Sequence, residues 1–265
     1  MSAWSARCFS RISARELTSA LGGVRVGQSG VLLVHTSLSK CGYFVGGADT
    51  VLDAMRDVCD TLCLPTHTYC YPAGPADVAP LFDAAATPSK NGVLTEMFRC
   101  RSGSTRSIHS THSLAAAGPL ADRICSDHYL NDTPCGSGTP YARLLLLRAS
   151  VLMFGVDFHS YTLYHTAEDA SGSEHAYERD TRDRLRVVDA AGTERECVSR
   201  RQSRAPRRFR EAGALLERAG LVHRLELGRG SLLFVPDCSK VHDYLVERLR
   251  TTPDFLYRTC AASLG

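Results

Sequence analysis

The sequence predicts an α/β protein with a largely buried sheet, and two observations carry this prediction. Short apolar runs of strand length recur along the chain, in "VLLV", "TLCL" and "ASVLMF". Between them lie segments with apolar residues at helical spacing, and polar loops follow the predicted strand ends. Continuous apolar runs are typical of strands buried on both faces, and strands that alternate with helices are typical of α/β folds. The loops that follow strands in such sheets usually carry the chemistry.

The N-terminal half contains five predicted elements. "ARELTSALGG" is a helix that ends at its two glycines. "SGVLLVHTSL" (29–38) is the first buried strand, and the polar turn "HTSLSKCGYFVGG" follows it. "ADTVLDAMRDVCD" has helical spacing, and "TLCLPTHTY" is a second strand that stops near Pro65. "GVLTEMFRCR" (92–101) is another helix.

The C-terminal half adds a third strand, a hairpin, two helices and a late strand. "ASVLMFGVDF" (149–158) is the strand, and "RLRVVDAAGTERECV" is a hairpin that turns at Ala191-Gly192. "FREAGALLERAGL" and "SKVHDYLVERLR" are helices on either side of a late strand, "GSLLFVPD". No internal repeat or low-complexity linker interrupts the chain. We therefore expect one domain over 1–265, with an Arg-rich subregion at about 174–210.

The composition indicates a soluble globular protein. Of 265 residues, 44% are hydrophobic and 22% charged, and the formal net charge is only +3. That charge is too small to indicate a nucleic-acid partner, and no apolar run approaches the ~20 residues of a membrane span. The first residues are rich in Arg and Ser, as transit peptides are, but Glu16 interrupts them and they contain no continuous apolar core. We expect an ordinary first helix and a cytoplasmic location.

The cysteines and histidines predict neither disulfides nor a metal site. The chain has 11 cysteines and no C-x-x-C pair, whereas disulfide frameworks and zinc sites need regular or clustered spacing. Reduced, mostly buried thiols are expected. His109 and His112 are spaced for a metal ion, but no third ligand lies near them in sequence, so no metal is predicted.

The stretch "YHTAED" contains the pair most suggestive of catalysis. His165 and Glu168 are three residues apart, just beyond the third predicted strand. If this stretch is helical, the two side chains share a face. A carboxylate at that distance suits the orientation of a histidine for proton transfer, although an accidental surface pair has the same spacing.

Four stretches, in order, resemble one known family. They are "VLLVHTSLSKCGYFVGGADTVLDAM" (31–55), "FDAAATPSKNGVLTEMFR" (82–99), "RSIHSTHSLAAAGPLAD" (106–122) and "LMFGVDFHSYTLYHTAE" (152–168). Their order and spacing are similar to those of the aminoglycoside 3-N-acetyltransferase family, also called the antibiotic N-acetyltransferase family. "TTPDFLYR" resembles the closing segment of that family, so the resemblance spans about 30–258.

The resemblance implies an α/β/α layered arrangement with a mixed central sheet, distinct from the GNAT acetyltransferases. "GRGS" (228–231) lies before a predicted strand instead of a helix, which is the wrong context for a GNAT pyrophosphate loop. The implied reaction is the transfer of an acyl group, usually acetyl, from coenzyme A to a primary amine, without a metal. A resistance enzyme that acts on aminoglycosides and a biosynthetic acyltransferase are both compatible with this reaction.

The resemblance also implies roles for individual residues. His165 is the expected base, and either Glu168 or Glu96 is its expected partner. The residues expected to bind the coenzyme are His35, Thr36, Ser37, Leu38, Ser39, Arg106, Ser110, Thr111 and Ser113. The residues expected to bind the acceptor are Asp83, His159, Tyr161 and Asp169.

Three departures from the family pattern concern the acceptor. Ser110 replaces the usual proline, His159 replaces a usual aspartate, and Tyr161 replaces the asparagine that follows it. The segment 174–210 also carries eleven arginines against seven acids. A polycationic aminoglycoside favours an acidic cleft, so this segment indicates, as an alternative, an acceptor that bears phosphate, phosphonate or carboxylate, or a nucleotide-linked amine. A solvated Arg-rich face is the other interpretation.

Two further function classes remain open from the sequence. Cys41 or Cys135 as a nucleophile would make the protein a thioester hydrolase or a cysteine-dependent acyltransferase. "SRRQSRAPRRFR" is basic enough to contact RNA, but it lacks interleaved aromatic residues apart from Phe209. We therefore expect a small-molecule amine as the partner, with no nucleic acid and no membrane, and the protein as a monomer or a homodimer.

Overall fold

The computed structural model of the protein describes residues 11–71, 81–228 and 230–258, and its centre is a seven-stranded mixed sheet. In spatial order the strands are β11 (His223–Leu227), β12 (Gly230–Val235), β8 (Ser150–Phe154), β2 (Val31–Thr36), β4 (Thr61–Pro65), β7 (Leu114–Ala117) and β6 (Ser104–Arg106). The three central strands, β8, β2 and β4, are parallel, and the flanking strands are antiparallel to their neighbours. The predicted mixed sheet is confirmed.

Helices cover both faces of this sheet. They are α1 (Ala14–Leu21), α2 (Leu38–Cys41), α3 (Gly47–Arg56), α4 (Val93–Cys100), α5 (Ala121–Cys125), α6 (Pro140–Leu146), α7 (Tyr164–Ala170), α8 (Phe209–Arg218) and α9 (Cys238–Thr251). Alternate residues of β2 enter two separate apolar clusters, because successive strand side chains point to opposite faces. Val31 and Leu33 pack with α5 to α9, and Leu32 and Val34 pack with α1, α3 and α4. The layers are therefore α/β/α, as expected.

Two smaller sheets complete the fold. In one, β9 (Tyr177–Val188) and β10 (Glu194–Gln202) form an antiparallel hairpin, and β5 (Leu81–Asp83) runs parallel to β9. In the other, β1 (Arg11–Ile12) pairs with β3 (Tyr43–Phe44). The hairpin turn lies where it was predicted, with Gly192 at φ +82°. The strands are longer than predicted, since their charged residues obscure the alternation that would mark a strand.

The arginines of 174–210 do not form an unpaired basic lobe. Seven of the eleven pair with carboxylates, and these are Arg182, Arg184, Arg186, Arg195, Arg201, Arg207 and Arg210. Several of the acids lie on the same hairpin, as in the Arg184–Glu196 and Arg186–Glu194 pairs. The positive charge counted from the sequence is therefore largely neutralised locally. This weakens the inference from these arginines to an anionic acceptor.

The first helix begins with a capping box. The Ser13 side chain accepts from the Glu16 backbone N–H, and the Glu16 carboxylate accepts from the Ser13 backbone N–H. This confirms the predicted helix, whereas the possible targeting segment falls largely on residues 1–10, outside the described residues. In the described part of the chain, no helix is long and apolar enough to cross a membrane.

Candidate active site

The helix α7 places His165 and Glu168 side by side. It begins at Tyr164, shortly after β8 ends at Phe154, so the condition under which the two side chains share a helical face is met. The Nδ1 atom of His165 lies 2.6 Å from the Oε2 atom of Glu168. The Glu168 side chain is 1% exposed and the His165 side chain is 15% exposed. The carboxylate is therefore buried, and the imidazole is partly accessible to solvent.

Two further side chains bind the same carboxylate. The Tyr257 hydroxyl donates to Oε1 of Glu168 at 2.6 Å, and the Nε–H of Arg207 donates to the same atom at 2.9 Å. Burial alone would raise the pKa of Glu168, but the neighbouring His165 and Arg207 outweigh it and hold that pKa below its usual value. The carboxylate is therefore ionised at neutral pH.

An ionised Glu168 determines what the His165 ring can do. The carboxylate accepts the Nδ1–H, which leaves Nε2 as the free ring nitrogen. Nε2 makes no hydrogen bond to any described residue and is not among the buried unpartnered atoms. This is the arrangement of a general base: one nitrogen is held by an acid and the other is available to take a proton.

A group of buried neutral histidines surrounds this pair. The His112 ring lies edge-on to His165, with centroids 6.2 Å apart, and His67 lies 4.6 Å from His112. The Tyr141 hydroxyl donates to the His112 carbonyl at 3.2 Å, so the His67 Nε2–H donates to Tyr141 at 2.8 Å. Burial lowers the pKa of His67 and of His112 well below the usual value. Sequence reasoning did not assign these two residues to the site, because only the fold brings them to His165.

Glu96 lies in a different set of contacts. Its carboxylate accepts from Arg99 at 2.6 and 2.5 Å and from the Ser89 backbone N–H at 2.7 Å. The His165 contact is made by Glu168, so of the two carboxylates left open by the sequence, the geometry favours Glu168. Glu96 instead ties α4 to the loop before it.

Residues 35–39 span the last two residues of β2 and the turn into α2, and this segment, called here the loop after β2, presents polar atoms without partners. His35 is buried, its Nε2 has no hydrogen-bond partner, and burial lowers its pKa to about 3. The Thr36 hydroxyl is likewise buried and unpartnered, and the Ser37 backbone N–H donates to the Phe154 carbonyl at 2.8 Å. Leu38 is partly buried and Ser39 is exposed. Buried polar groups are normally paired, so this loop fits a polar ligand such as the pantetheine arm of coenzyme A.

Arg106 does not fit its expected coenzyme role. Its guanidinium donates to the carbonyl oxygens of Ala84 at 3.1 Å, Thr87 at 2.6 Å and Thr66 at 2.9 Å. It also lies 4.9 Å from the Phe82 ring centroid, and burial lowers its pKa to about 10. Because internal acceptors occupy the guanidinium, it ties the segment before α4 to the sheet. The geometry argues against the predicted phosphate contact.

The other coenzyme candidates after β6 are buried. Thr111 Oγ1 lies 2.8 Å from Nδ1 of His112, and Ser113 donates to the Thr66 carbonyl at 2.7 Å. These two hydroxyls are therefore occupied by internal partners. Ser110 is 0% exposed and its hydroxyl has no partner, which leaves it as the candidate of this group that fits a ligand or an ordered water.

The four acceptor candidates are not brought together. Asp83 accepts from the backbone N–H groups of Ala85 and Ala86 at 2.7 and 2.8 Å, so it forms a local turn. His159 is exposed on a short 3-10 turn. Tyr161 is 1% exposed in the core, with its ring 6.0 Å from the His35 ring, so it faces the loop after β2 and not open solvent.

Asp169 lines a pocket that Glu168 also lines. It accepts from the Tyr177 hydroxyl at 2.8 Å. The pocket has a volume of about 390 Å³, and its charged lining comes from Glu168, Asp169, Glu174, Arg179 and Arg200. Among the described contacts, Arg179 and Arg200 form no ion pair, and Arg200 stacks 4.2 Å from the Tyr177 centroid. The lining is therefore of mixed charge, and Asp169 is the acceptor candidate whose position fits the prediction.

The cysteine nucleophiles weighed from the sequence are poorly suited to attack. Burial raises the pKa of the Cys41 thiol to about 12, and that of the fully buried Cys135 thiol well above its usual value. A nucleophilic cysteine needs its thiolate at neutral pH. The nine described cysteines are free thiols.

The two histidines spaced for a metal make other contacts: the Nδ1 atom of His112 lies 2.8 Å from the Thr111 hydroxyl, and His109 binds backbone groups. His109 Nδ1 accepts from the backbone N–H groups of Thr111 and His112, both at 3.2 Å, and its ring stacks on His128 at 4.5 Å. In the described ranges, no group of three potential ligands of the His, Cys, Asp or Glu type converges to hold a metal ion.

Comparison with known families identifies the family of the chain. The model of the aminoglycoside 3-N-acetyltransferase family matches residues 33–250 of the chain. The chain belongs to this family. The match includes the loop after β2, the histidine-rich segment and α7.

Relatives support this family assignment. The aminoglycoside N(3)-acetyltransferase VII of Streptomyces paromomycinus is 35% identical over 179 residues, 60% of each chain. The N(3)-acetyltransferase VIII of Streptomyces fradiae is 34% identical over 172 residues, 57% of this chain and 59% of the relative. These matches span less than two thirds of the length of the relatives.

Solved structures share the fold over almost the whole chain. The crystal structure of aminoglycoside acetyltransferase AAC(3)-Xa has a TM-score of 0.79 and 25% identity, covering 96% of this chain and 97% of the other. A variant of AAC(3)-IVa in complex with gentamicin has a TM-score of 0.79 at 24% identity, covering 96% and 94%. AAC-IIIb bound to CoASH has a TM-score of 0.77 at 23% identity, covering 91% and 97%.

Proposed function

We propose that the protein transfers an acetyl group from acetyl-CoA to an amino group of an aminoglycoside, with His165 as the general base. The observation that carries the proposal is the His165–Glu168 pair, in which a sealed carboxylate holds Nδ1 and leaves Nε2 free. Family membership supplies the reaction class, because related proteins are named aminoglycoside N(3)-acetyltransferases. One solved relative holds CoASH and another holds gentamicin.

The proposed reaction balances with one base. A protonated amine cannot attack a thioester, so the acceptor ammonium first releases one proton to solvent. Nε2 of His165 takes the second proton as the neutral nitrogen bonds to the thioester carbonyl carbon and the carbon–sulfur bond breaks. The departing thiolate takes up the proton from His165. Glu168 stabilises the imidazolium that exists between these two transfers.

The loop after β2 is the proposed site of the coenzyme. Its unpartnered buried groups, the His35 Nε2 and the Thr36 hydroxyl, lie where β2 ends beside β8, and α7 follows β8. Ser37, Leu38 and Ser39 complete the loop, and Ser110 adds another unpartnered hydroxyl. We infer that the residues 1–265 act as one acyltransferase domain, in which the pocket at Asp169 receives the acceptor.

The direct test is an assay of product formation with a panel of amines. The purified protein should release coenzyme A from acetyl-CoA when gentamicin, kanamycin or paromomycin is added, and mass spectrometry should detect the mono-acetylated drug. His165→Ala is the matched negative control. If no aminoglycoside is acetylated while the protein binds coenzyme A, the proposed acceptor is wrong.

One observation retains a second candidate acceptor. Arg179 and Arg200 lie in the pocket lining without ion pairs among the described residues. An amine that also carries a phosphate or carboxylate could pair with them. Small anionic amines therefore belong in the same panel, and preferential acetylation of these would indicate a biosynthetic acyltransferase instead of a drug-modifying one.

A further inference from the structure

Two distant segments of the chain are joined directly behind the catalytic pair. Arg207 and Tyr257 form an antiparallel β-bridge. On either side, the Arg208 N–H donates to the Leu256 carbonyl at 2.8 Å, and the Arg258 N–H donates to the Pro206 carbonyl at 2.9 Å. This backbone pairing fixes the position of both side chains at once.

The two side chains meet on one oxygen of Glu168. The Tyr257 hydroxyl and the Arg207 Nε–H both donate to Oε1, at 2.6 and 2.9 Å, while His165 occupies Oε2 at 2.6 Å. The carboxylate therefore cannot rotate without the loss of two charge-assisted hydrogen bonds, each stronger than a neutral one. Its fixed plane sets the direction in which the His165 ring points.

Other contacts orient both donors. The Ser173 hydroxyl donates to the Tyr257 oxygen at 3.1 Å, so the phenol proton of Tyr257 is available to Glu168. The Arg207 Nη1 donates to the Ser203 and Ala205 carbonyls at 2.8 and 3.3 Å. The guanidinium thus has little freedom to leave the carboxylate.

We propose that Arg207 and Tyr257 are positioning residues that hold Glu168 ionised and aligned on His165. This inference rests on the proposed function of His165 as the base, but the geometry on which it depends is independent of the acceptor. A buried carboxylate that has lost its cationic partner holds a proton more strongly. Without Arg207, the His165–Glu168 pair therefore keeps its proton to higher pH, and less of it is competent as a base.

Other titratable groups around the pair must be considered in this argument. His112 from the segment before β7, His67 from the segment after β4, Cys135 from the loop before α6 and Asp169 on α7 itself influence the pair or its neighbours electrostatically. Burial holds the pKa of both histidines well below the usual value and raises that of the thiol. These three groups stay neutral across the assay range. The charged groups around the pair are Arg207, which binds Glu168, Asp169 on the same helix, and Glu174, Arg179 and Arg200 in the pocket that Glu168 lines.

The test compares the pH profiles of kcat/KM for Arg207→Gln, Arg207→Lys and Tyr257→Phe. The acid limb should move to higher pH by about one unit in Arg207→Gln, by less in Tyr257→Phe, and least in Arg207→Lys, which restores the charge. Arg204→Gln and Tyr244→Phe are the matched controls and should keep the parent profile, since Arg204 is exposed and neither side chain touches Glu168. A lower rate with an unmoved acid limb in Arg207→Gln and Tyr257→Phe would overturn the proposal.

A second measurement separates this inference from the proposed function. Nitrogen NMR of the imidazoles, with His165 assigned by comparison with His165→Ala, reports the pH at which the pair takes up its proton, whether or not any amine is acetylated. If the parent acetylates nothing but the midpoint still rises in Arg207→Gln, the positioning role of Arg207 and Tyr257 is supported and the proposed function is wrong. If the parent is active and the midpoint is unchanged in folded Arg207→Gln and Tyr257→Phe, only the positioning role is wrong.

Discussion

The Nδ1 atom of His165 and the Oε2 atom of Glu168 lie 2.6 Å apart along one face of α7. A carboxylate that is 1% exposed and bound by three donors does not exchange partners readily. The ring is thus held in a single tautomer. This relationship leads to predictions that separate catalytic from structural roles.

Replacement of the proposed base should abolish most of the turnover. His165→Ala removes the proton acceptor, so kcat should fall by about 10²–10⁴-fold. Coenzyme A affinity, measured by calorimetry, should stay at the parent value because the loop after β2 is untouched. His223→Ala, at an exposed position on β11, is the control. Acetylation near the parent rate in His165→Ala would rule out His165 as the base.

Substitution of Glu168 should lower kcat much more than substitution of Glu96. Glu168→Gln keeps the volume but loses the charge that stabilises the imidazolium, so kcat should fall by at least about tenfold. Glu96→Gln breaks the pair with Arg99, which is worth about 0–1 kcal/mol at a partly exposed position. It should therefore lower the melting temperature slightly and leave kcat near the parent value. A larger kcat loss in Glu96→Gln than in Glu168→Gln would reverse the assignment.

The buried histidines should make the fold sensitive to acid. Burial lowers the pKa of His35 and His128 to about 3, and those of His67, His109 and His112 well below the usual value. As pH falls below about 6.5, these histidines take up protons in the unfolded chain but stay neutral in the folded chain. Stability is therefore complete above that pH and is lost on acidification, by up to about 1.4 kcal/mol per pH unit for each histidine.

Denaturant titrations at a series of pH values measure this slope. We expect acid unfolding between about pH 4 and 6, because the five buried histidines together remove a typical stability of about 5–15 kcal/mol over that range. His128→Gln should remove about one histidine's share of this pH slope. Stability that is flat from pH 7 to pH 4 would contradict the neutral, buried state of this cluster.

The thiol of Cys41 should be dispensable for the chemistry. Burial raises its pKa to about 12, so almost none is thiolate at neutral pH. Cys41→Ala should retain kcat, and mass spectrometry should find no acetylated enzyme when the amine is omitted. Cys59→Ala, where the thiol pKa is also raised to about 12, is the matched control. A trapped acyl-enzyme that disappears in Cys41→Ala would favour the cysteine mechanism.

Gly155 should be required for the shape of the coenzyme loop. Its φ is +73°, and a Cβ there would meet the Ser37 carbonyl at 2.5 Å and the Cys41 sulfur at 2.6 Å. Gly172 has a similar φ of +68° with nothing within 4 Å, so Gly172→Ala introduces the strain without the clash. Gly172→Ala should lose about 1–2 kcal/mol of stability from the backbone strain, and Gly155→Ala should lose more because of the added clash. Only Gly155→Ala should weaken coenzyme A binding. Equal coenzyme affinities in the two variants would contradict the proposed loop.

The sequence predicts what depends on local spacing. Apolar runs identified the central strands, and the three-residue spacing of His165 and Glu168 predicted a shared helical face. Long-range contacts could not be found this way: Arg207 and Tyr257 reach Glu168 across 39 and 89 residues. Charge counting also failed for 174–210, because a sequence gives the number of arginines but not the acids that neutralise them. β7 was missed as a strand because its residues, "LAAA", lack β-branched side chains.

The bridge between Arg207 and Tyr257 has a practical consequence for recombinant work. The family match ends at residue 250, seven positions before Tyr257, whose hydroxyl donates to Glu168. A shortened gene that stops at that boundary would encode His165 and Glu168 but not "TTPDFLYR", so the protein would lose the Tyr257 hydrogen bond to Glu168.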